Sequence, residues 1–146
     1  DILSSHKNIV AIKEAVDDMK RIKELVDISK KHENFSVLSG DDPTFANALS
    51  IGAHGVISVA ANVIPKDISK ICFELLNNSK DTGINLNNKY KNLYDLLFLE
   101  SNPIPVKWML YKMNLIQRNI RLPLVELDET YHEKILSELY NLELLS

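Results

Sequence analysis

The sequence predicts an α/β chain: a short parallel sheet with its helices in the first half, and helices alone in the second. Two observations predict it. Three β-type runs, Ile9–Ile12, Phe35–Leu38 and Gly55–Val59, alternate with helix-type stretches through short links, the pattern of βαβ units. After residue 60 no strand pattern recurs, while apolar residues continue at helical spacing.

The elements follow in order. Asp1-Ile2-Leu3-Ser4-Ser5 has the look of a helix already under way, as in a piece of a longer polypeptide. Ile9-Val10-Ala11-Ile12 is a continuous apolar run, which suits a strand covered on both faces. Asp17 or Asp18 then caps a helix to about Lys31, with Met19, Ile22, Leu25, Val26 and Ile28 on its apolar face. The second strand ends in Ser39-Gly40-Asp41-Asp42-Pro43, where Asp42 suits an N-cap and Pro43 the first helical turn. That helix runs to about Ile51 and stops at Gly52. After the third strand, Pro65 opens a helix to about Leu76. Asn85–Leu99 is predicted as one helix, broken by Asn102-Pro103-Ile104-Pro105. Val106–Met113 is a shorter helix, and Asp128 or Thr130 starts a last one ending near Leu142.

Composition bounds the function classes. At 146 residues, 45% hydrophobic and 25% charged, the chain is sized and balanced for one ordinary domain rather than for disorder. A net charge of -3 gives no electrostatic case for nucleic acid or an anionic membrane. No apolar run reaches the roughly 20 residues that cross a bilayer, and no signal peptide opens the chain. The single cysteine, Cys72, rules out an internal disulfide framework and a cysteine-rich zinc site; it fits a small core residue. A reducing, cytoplasmic setting fits these features.

Lys13 closes the first apolar run. A lysine held where water is scarce loses its proton more readily and becomes a nucleophile toward carbonyls. A lysine at a strand end can equally snorkel into solvent. The run alone leaves both readings open. A three-stranded parallel sheet also keeps two unpaired edges, as part of something larger would.

Four segments occur in order: Ile12-Lys13-Glu14-Ala15; Ser39-Gly40-Asp41-Asp42; Gly55-Val56-Ile57-Ser58-Val59 followed by Ala61-Asn62-Val63; and Asn102-Pro103-Ile104-Pro105-Val106-Lys107. Each is weak alone. In register over nearly the whole chain, they resemble the dihydrodipicolinate synthase family, class I aldolase-type enzymes on a TIM barrel. The resemblance implies that residues 1–79 hold the last three βα units of a (β/α)8 barrel, strands six to eight, and that residues 80–146 form a C-terminal helical domain. It implies that Lys13 forms a Schiff base with pyruvate at the barrel mouth, where active sites of this fold gather. The second substrate would be L-aspartate 4-semialdehyde, in the diaminopimelate route of lysine biosynthesis. No metal or organic cofactor would be needed.

Other positions follow from the same resemblance. Gly40 would lie beside the lysine-bound pyruvate; without the resemblance it is equally a turn glycine ahead of a helix. Ile57 would turn its backbone carbonyl to the pocket, its side chain being ordinary core. Asp41 and Asp42 could serve as paired carboxylates, but Pro43 after them favours a cap. Asn102–Lys107 is diagnostic but structural. His6, His32, His54 and His132 lack ligand-like spacing and suit surface or packing roles, as Trp108 and Tyr111 suit core or interface. The charges of residues 20–31 suit a solvated helix face. The family's proton-relay tyrosine, carboxylate-binding threonines and substrate-binding arginine come from its first five strands, so none is assigned here.

Two alternatives accompany this reading. The related N-acetylneuraminate lyases and keto-acid aldolases share the imine lysine, although Lys13-Glu14-Ala15 and Asn102–Lys107 favour the synthase. Alternatively the chain is an inactive fragment or assembly half, pairing its sheet edge with a separate N-terminal half or with itself as a homo-oligomer.

Overall fold

The computed structural model describes residues 6–77 and 79–145. The helix expected at Asp1–Ser5 lies outside them. Three parallel strands, β1 (Ala11–Glu14), β2 (Ser36–Ser39) and β3 (Gly55–Val56), form one sheet in the order β1-β2-β3. Lys13 pairs with Leu38, and Leu38 with Gly55. Residues paired across a parallel ladder share a face, and neighbours along a strand alternate. One face therefore carries Ile12, Glu14, Val37, Ser39 and Val56; the other carries Ala11, Lys13, Ser36, Leu38 and Gly55.

Helices α1 (Met19–Ser29) and α2 (Phe45–Ser50) cover the first face, where Val37 is 0% and Ser39 1% exposed. On the opposite face Ala11 and Lys13 are exposed and Leu38 is half-buried. This corrects the expectation of a first strand covered on both sides. Hydrogen bonding begins with Val10, whose carbonyl accepts from Ser36 N–H at 2.9 Å, and the strand runs on through Lys13 to Glu14. Lys13 is thus inside the strand, while Ile9 and Val10 remain in contact with solvent.

Local chemistry accounts for most element ends. Asp18 caps α1, its carboxylate accepting from Lys20 N–H at 2.9 Å and Arg21 N–H at 3.1 Å. The buried face is Ile22, Leu25, Val26 and Ser29; Ile28 is turned outward, and Ser29 is accommodated because its hydroxyl donates to the Val26 carbonyl at 2.8 Å. Gly52, with φ of 113°, ends the segment after α2, a conformation that glycine adopts without Cβ strain. His54 extends the ladder: its Nδ1 accepts from Val37 N–H at 3.1 Å, and its own N–H donates to the Val37 carbonyl at 2.8 Å.

Past β3 a 3₁₀ turn (Ala60–Asn62) leads to α3 (Pro65–Leu76), opened by Pro65 as expected. The stretch predicted as one helix is two, α4 (Lys80–Asn88) and α5 (Lys91–Leu96). A turn at Lys89–Tyr90 separates them and buries Tyr90, whose N–H donates to the Asn87 carbonyl at 3.0 Å. Asn87 is itself buried and its side-chain oxygen accepts from the Tyr94 hydroxyl at 2.9 Å, a tertiary contact that periodicity does not reveal. α4 packs closely on α3 at Gly83, where an added Cβ would meet Leu75 Cγ at 2.5 Å and Cδ2 at 2.6 Å. Two further helices complete the chain, α6 (Ile104–Lys112) and α7 (His132–Asn141). α6 takes Pro105 into its first turn rather than being broken by it. Asp128 caps the 3₁₀ turn Glu129–Tyr131 that enters α7.

One apolar cluster connects these layers. Val37 from the sheet, Phe45, Ala48 and Leu49 from α2, Ile71 and Leu75 from α3, Leu93 and Tyr94 from α5, and Met109, Ile135 and Leu139 beyond them are all nearly inaccessible. Phe45 meets Tyr94 edge to face at 6.2 Å between ring centroids, linking the sheet-bearing half to the helical half. Cys72 is half-buried against this cluster. Among the described residues no helix is long and apolar enough to cross a membrane.

Gly83→Ala is expected to lower unfolding free energy by about 1–3 kcal/mol through overpacking against Leu75. Urea denaturation measures this; a variant as stable as wild type would show that the α3–α4 contact yields freely.

Candidate active site

The sheet ladder continues one residue beyond β2 and β3. Gly40 N–H donates to the Glu14 carbonyl at 2.8 Å, and Ile57 N–H donates to the Ser39 carbonyl at 2.8 Å. Ala15, Gly40 and Ile57 therefore stand level at the C-terminal ends of the three strands. By alternation they share the uncovered face with Lys13, Leu38 and Gly55. The three residues singled out from sequence, Lys13, Gly40 and Ile57, thus lie together on one face at one end of the sheet.

Gly40 has a steric reason to be glycine. A Cβ built there would overlap Lys13 Cε, and would lie 3.1 Å from Lys13 Cγ and 2.9 Å from Ala15 Cβ. The Lys13 side chain passes over the space a larger residue would fill. The neighbouring Glu14 belongs to the opposite face, where its carboxylate pairs with Arg21 Nε at 3.2 Å. Ile57 departs from the core role expected for its side chain: it is 49% exposed, because no described residue covers this face at its level.

The two adjacent aspartates have separated roles. Asp41 caps the turn into α2: its carboxylate accepts from Thr44 N–H at 3.1 Å and from the Thr44 hydroxyl, and its carbonyl accepts from Phe45 N–H at 3.0 Å. The helix consequently starts at Phe45 rather than Pro43. Asp42 is 1% exposed and bonds elsewhere, its Oδ2 accepting from Val59 N–H at 2.9 Å and Ala60 N–H at 3.0 Å. These bonds draw the chain out of extended geometry, so β3 stops at Val56 instead of reaching Val59. Burial pushes the Asp42 carboxyl above its ordinary value, partly offset by the nearby Ser58 hydroxyl and by the N–H groups of Ala60 and Val59. Beneath it, burial and then the Asp42 charge push the Tyr94 phenol above its usual range. Sequence reasoning missed this long-range tie. Its one trace was a second carboxylate where a helix start needs only one.

The remaining candidates stay apart from Lys13. Lys107 is half-buried on α6 and lines a small surface hollow with Trp108, Tyr111, Arg118 and Leu127. His132 stacks on Trp108 with centroids 4.5 Å apart and contacts the Leu127 carbonyl at 3.2 Å, a packing role like that of His54. Among the described residues no group of three His, Cys, Asp or Glu is placed to hold a metal ion.

Comparison with known proteins agrees with this geometry. The sequence profile of the Dihydrodipicolinate synthetase family matches residues 1–141. A 4-hydroxy-tetrahydrodipicolinate synthase of Coxiella burnetii is 44% identical over 128 residues, covering 88% of this chain and 43% of that protein. One from Legionella pneumophila is 41% identical over 143 residues, covering 98% of this chain and 49% of the relative. The chain thus spans about half the length of the curated relatives it matches. Among solved structures, the dihydrodipicolinate synthase of Acinetobacter baumannii complexed with pyruvate superposes with a TM-score of 0.93 at 42% identity, over 99% of this chain and 49% of that one. The Thermotoga maritima synthase gives a TM-score of 0.94 at 37% identity, with coverages of 99% and 49%. The architecture is the α/β fold of these enzymes.

Two outcomes are expected from the site's geometry. Gly40→Ala should drive the Lys13 side chain from its place, seen as loss of the proton–proton contact between Gly40 Hα and Lys13 Hε by NMR; a persisting contact would refute the close approach. For Asp42, the raised carboxyl value makes its contribution to stability full below the ordinary value of 3.8 and lost as pH rises through the raised one. The stability of Asp42→Asn relative to wild type should therefore increase with pH across that window, as read from urea midpoints. A difference that stays flat would remove the burial argument.

Proposed function

This chain belongs to the dihydrodipicolinate synthetase family, and we propose that its Lys13 is the amine that forms an imine with pyruvate. One observation carries the reading. Lys13 lies along Gly40 at the C-terminal ends of parallel strands, on the one sheet face that helices leave uncovered. Active sites of (β/α)8 barrels are built at that end, and a barrel's interior is the second face of its sheet.

The proposed chemistry balances without an external cofactor. The neutral Nζ of Lys13 adds to the ketone carbon of pyruvate, forming a C–N bond as the carbonyl π pair moves to oxygen. The carbinolamine hydroxyl takes up a proton, from solvent or from an acid of the complete barrel, and leaves as water, giving a protonated imine. That cation withdraws electrons, so the methyl group yields a proton and becomes an enamine carbon. The enamine attacks the aldehyde carbon of L-aspartate 4-semialdehyde, forming the new C–C bond as the aldehyde π pair moves to oxygen and takes up a proton, and the imine is restored. The amino group of the condensed product then cyclises onto the imine carbon and releases the lysine amine. In this reading the missing Cβ of Gly40 makes room for the lysine stem, so that Gly40 lies beside the lysine-bound pyruvate, and the backbone carbonyl of Ile57 would face the same pocket.

The activity is that of a complete barrel, to which this chain contributes strands six to eight in residues 1–79 and a C-terminal helical domain in residues 80–146. The chain's span of about half its relatives and the solvent-exposed Ile9, Val10 and Ile57 support that division of labour. The partner surface would be an N-terminal half, in the same polypeptide or a separate one, or further copies of the chain. Cytoplasmic lysine biosynthesis through diaminopimelate is the matching role.

Borohydride reduction of the complete protein with pyruvate should leave one stable adduct, on Lys13, and none in Lys13→Ala. Adducts scattered over surface lysines would overturn the imine role. Turnover with pyruvate plus L-aspartate 4-semialdehyde, and none on sialic acid, separates the synthase from the related lyases. Residues 1–146 alone should condense these substrates at least about 10²-fold more slowly than the complete protein, for want of oriented acid–base partners.

A further inference from the structure

We propose that Asp42 is a positioning residue for this site: its carboxylate ties the loop after β2 to the loop after β3, and so sets where Ile57 stands relative to Gly40 and Lys13. The proposal rests on the imine reading of Lys13.

The geometry is specific to a link between two loops. Asp42 follows Gly40 by two residues, and Val59 follows Ile57 by two. One oxygen of Asp42 takes the N–H groups of both Val59 and Ala60, 17 and 18 residues along the chain. Asp41 already caps the turn into α2, so Asp42 is not needed to start that helix. Between Gly40 and Ile57 the sheet itself supplies a single further bond, from Ile57 N–H to the Ser39 carbonyl. Without Asp42, the stretch between Ile57 and the buried Ala60 would be held to the β2 end by packing alone.

Stability alone does not explain a carboxylate here. Asp42 is 1% exposed, and its Oδ1 has no hydrogen-bond partner among the described residues. A buried, half-satisfied carboxylate costs folding free energy, and burial raises its pKa. In return, one short, buried side chain places a single oxygen on two neighbouring N–H groups at once, which fixes the loop where a longer or missing side chain would not. A loop held in this way suits a site whose reacting groups must keep their spacing, where a displacement of about 1 Å can cost about a hundredfold in rate.

Three variants of the complete protein test this, read by steady-state kinetics and by the rate of borohydride trapping with pyruvate. Asp42→Ala removes both acceptances, and Asp42→Glu keeps the charge but lengthens the tether by one methylene. Each should raise the KM for pyruvate and slow trapping by about ten- to a hundredfold. Asp42→Asn retains an oxygen for both amides and should keep most of the wild-type rate. A loss of folded protein would lower kcat and leave the KM unmoved. If Asp42→Ala does not fold, the contrast between Glu and Asn decides. A wild-type pyruvate KM in the Ala or Glu variant overturns the proposal, as does an Asn variant no better than these. Absence of a Lys13 adduct in wild type would instead overturn the imine reading, and this proposal with it.

Discussion

Parallel strands are stable where both faces of their sheet leave water, and in this chain one face stays open. α1 and α2 seal the side carrying Val37 and Ser39. Among the described residues, the side carrying Lys13, Leu38, Gly40 and Ile57 has no layer of its own. Full burial of an isoleucine or valine is worth roughly 1.5–3 kcal/mol. Ile9, Val10 and Ile57 are 38%, 54% and 49% exposed, so much of that gain is unrealised in this chain. The same deficit that weakens the sheet marks the face where a second set of strands would close, and the reactive candidate stands on that face.

The helical half compensates on the other side. Phe45 and Tyr94 meet across the boundary between the halves, and Tyr94 is anchored by Asn87. Gly83 brings α4 against α3, and Tyr90 fills the turn between α4 and α5. The sheet ends therefore rest on a packed base rather than on their own few ladder bonds. Asp42 sits just above that base, near enough for its charge to act on Tyr94. Packing thus fixes the two loops at one end, and a hydrogen-bonded carboxylate joins them at the other.

How much of this was legible follows from the range of each interaction. Asp18, Gly52, Pro65 and Asp128 act within a few residues, and their elements begin or end close to where local chemistry places them. The errors are long-range. Ile9-Val10-Ala11-Ile12 carries the apolar run of a doubly covered strand, but among the described residues helices cover only one face of the sheet. Asn85–Leu99 keeps a helical period across a turn that only the burial of Tyr90 and Asn87 dictates. The third strand is cut short by a carboxylate 17 residues earlier. Lys13, Gly40 and Ile57, which share one face at one end of the sheet, were singled out through motifs, whereas Asp42 was read as a helix cap because caps are what sequence spacing can express.

The exposed state of Lys13 bears on how reactivity is divided between position and environment. β1 and β2 supply position: their register puts the lysine stem across Gly40, and this needs no further strand. Environment is a different requirement. An amine is nucleophilic when neutral, and exclusion of water is what favours the neutral form. Desolvation also strengthens every dipole aimed at the iminium and at the departing water. Neither effect can operate on a face open to solvent. Placement of the lysine is thus local to these strands, while the activation that the proposed imine role requires would depend on closure of the sheet.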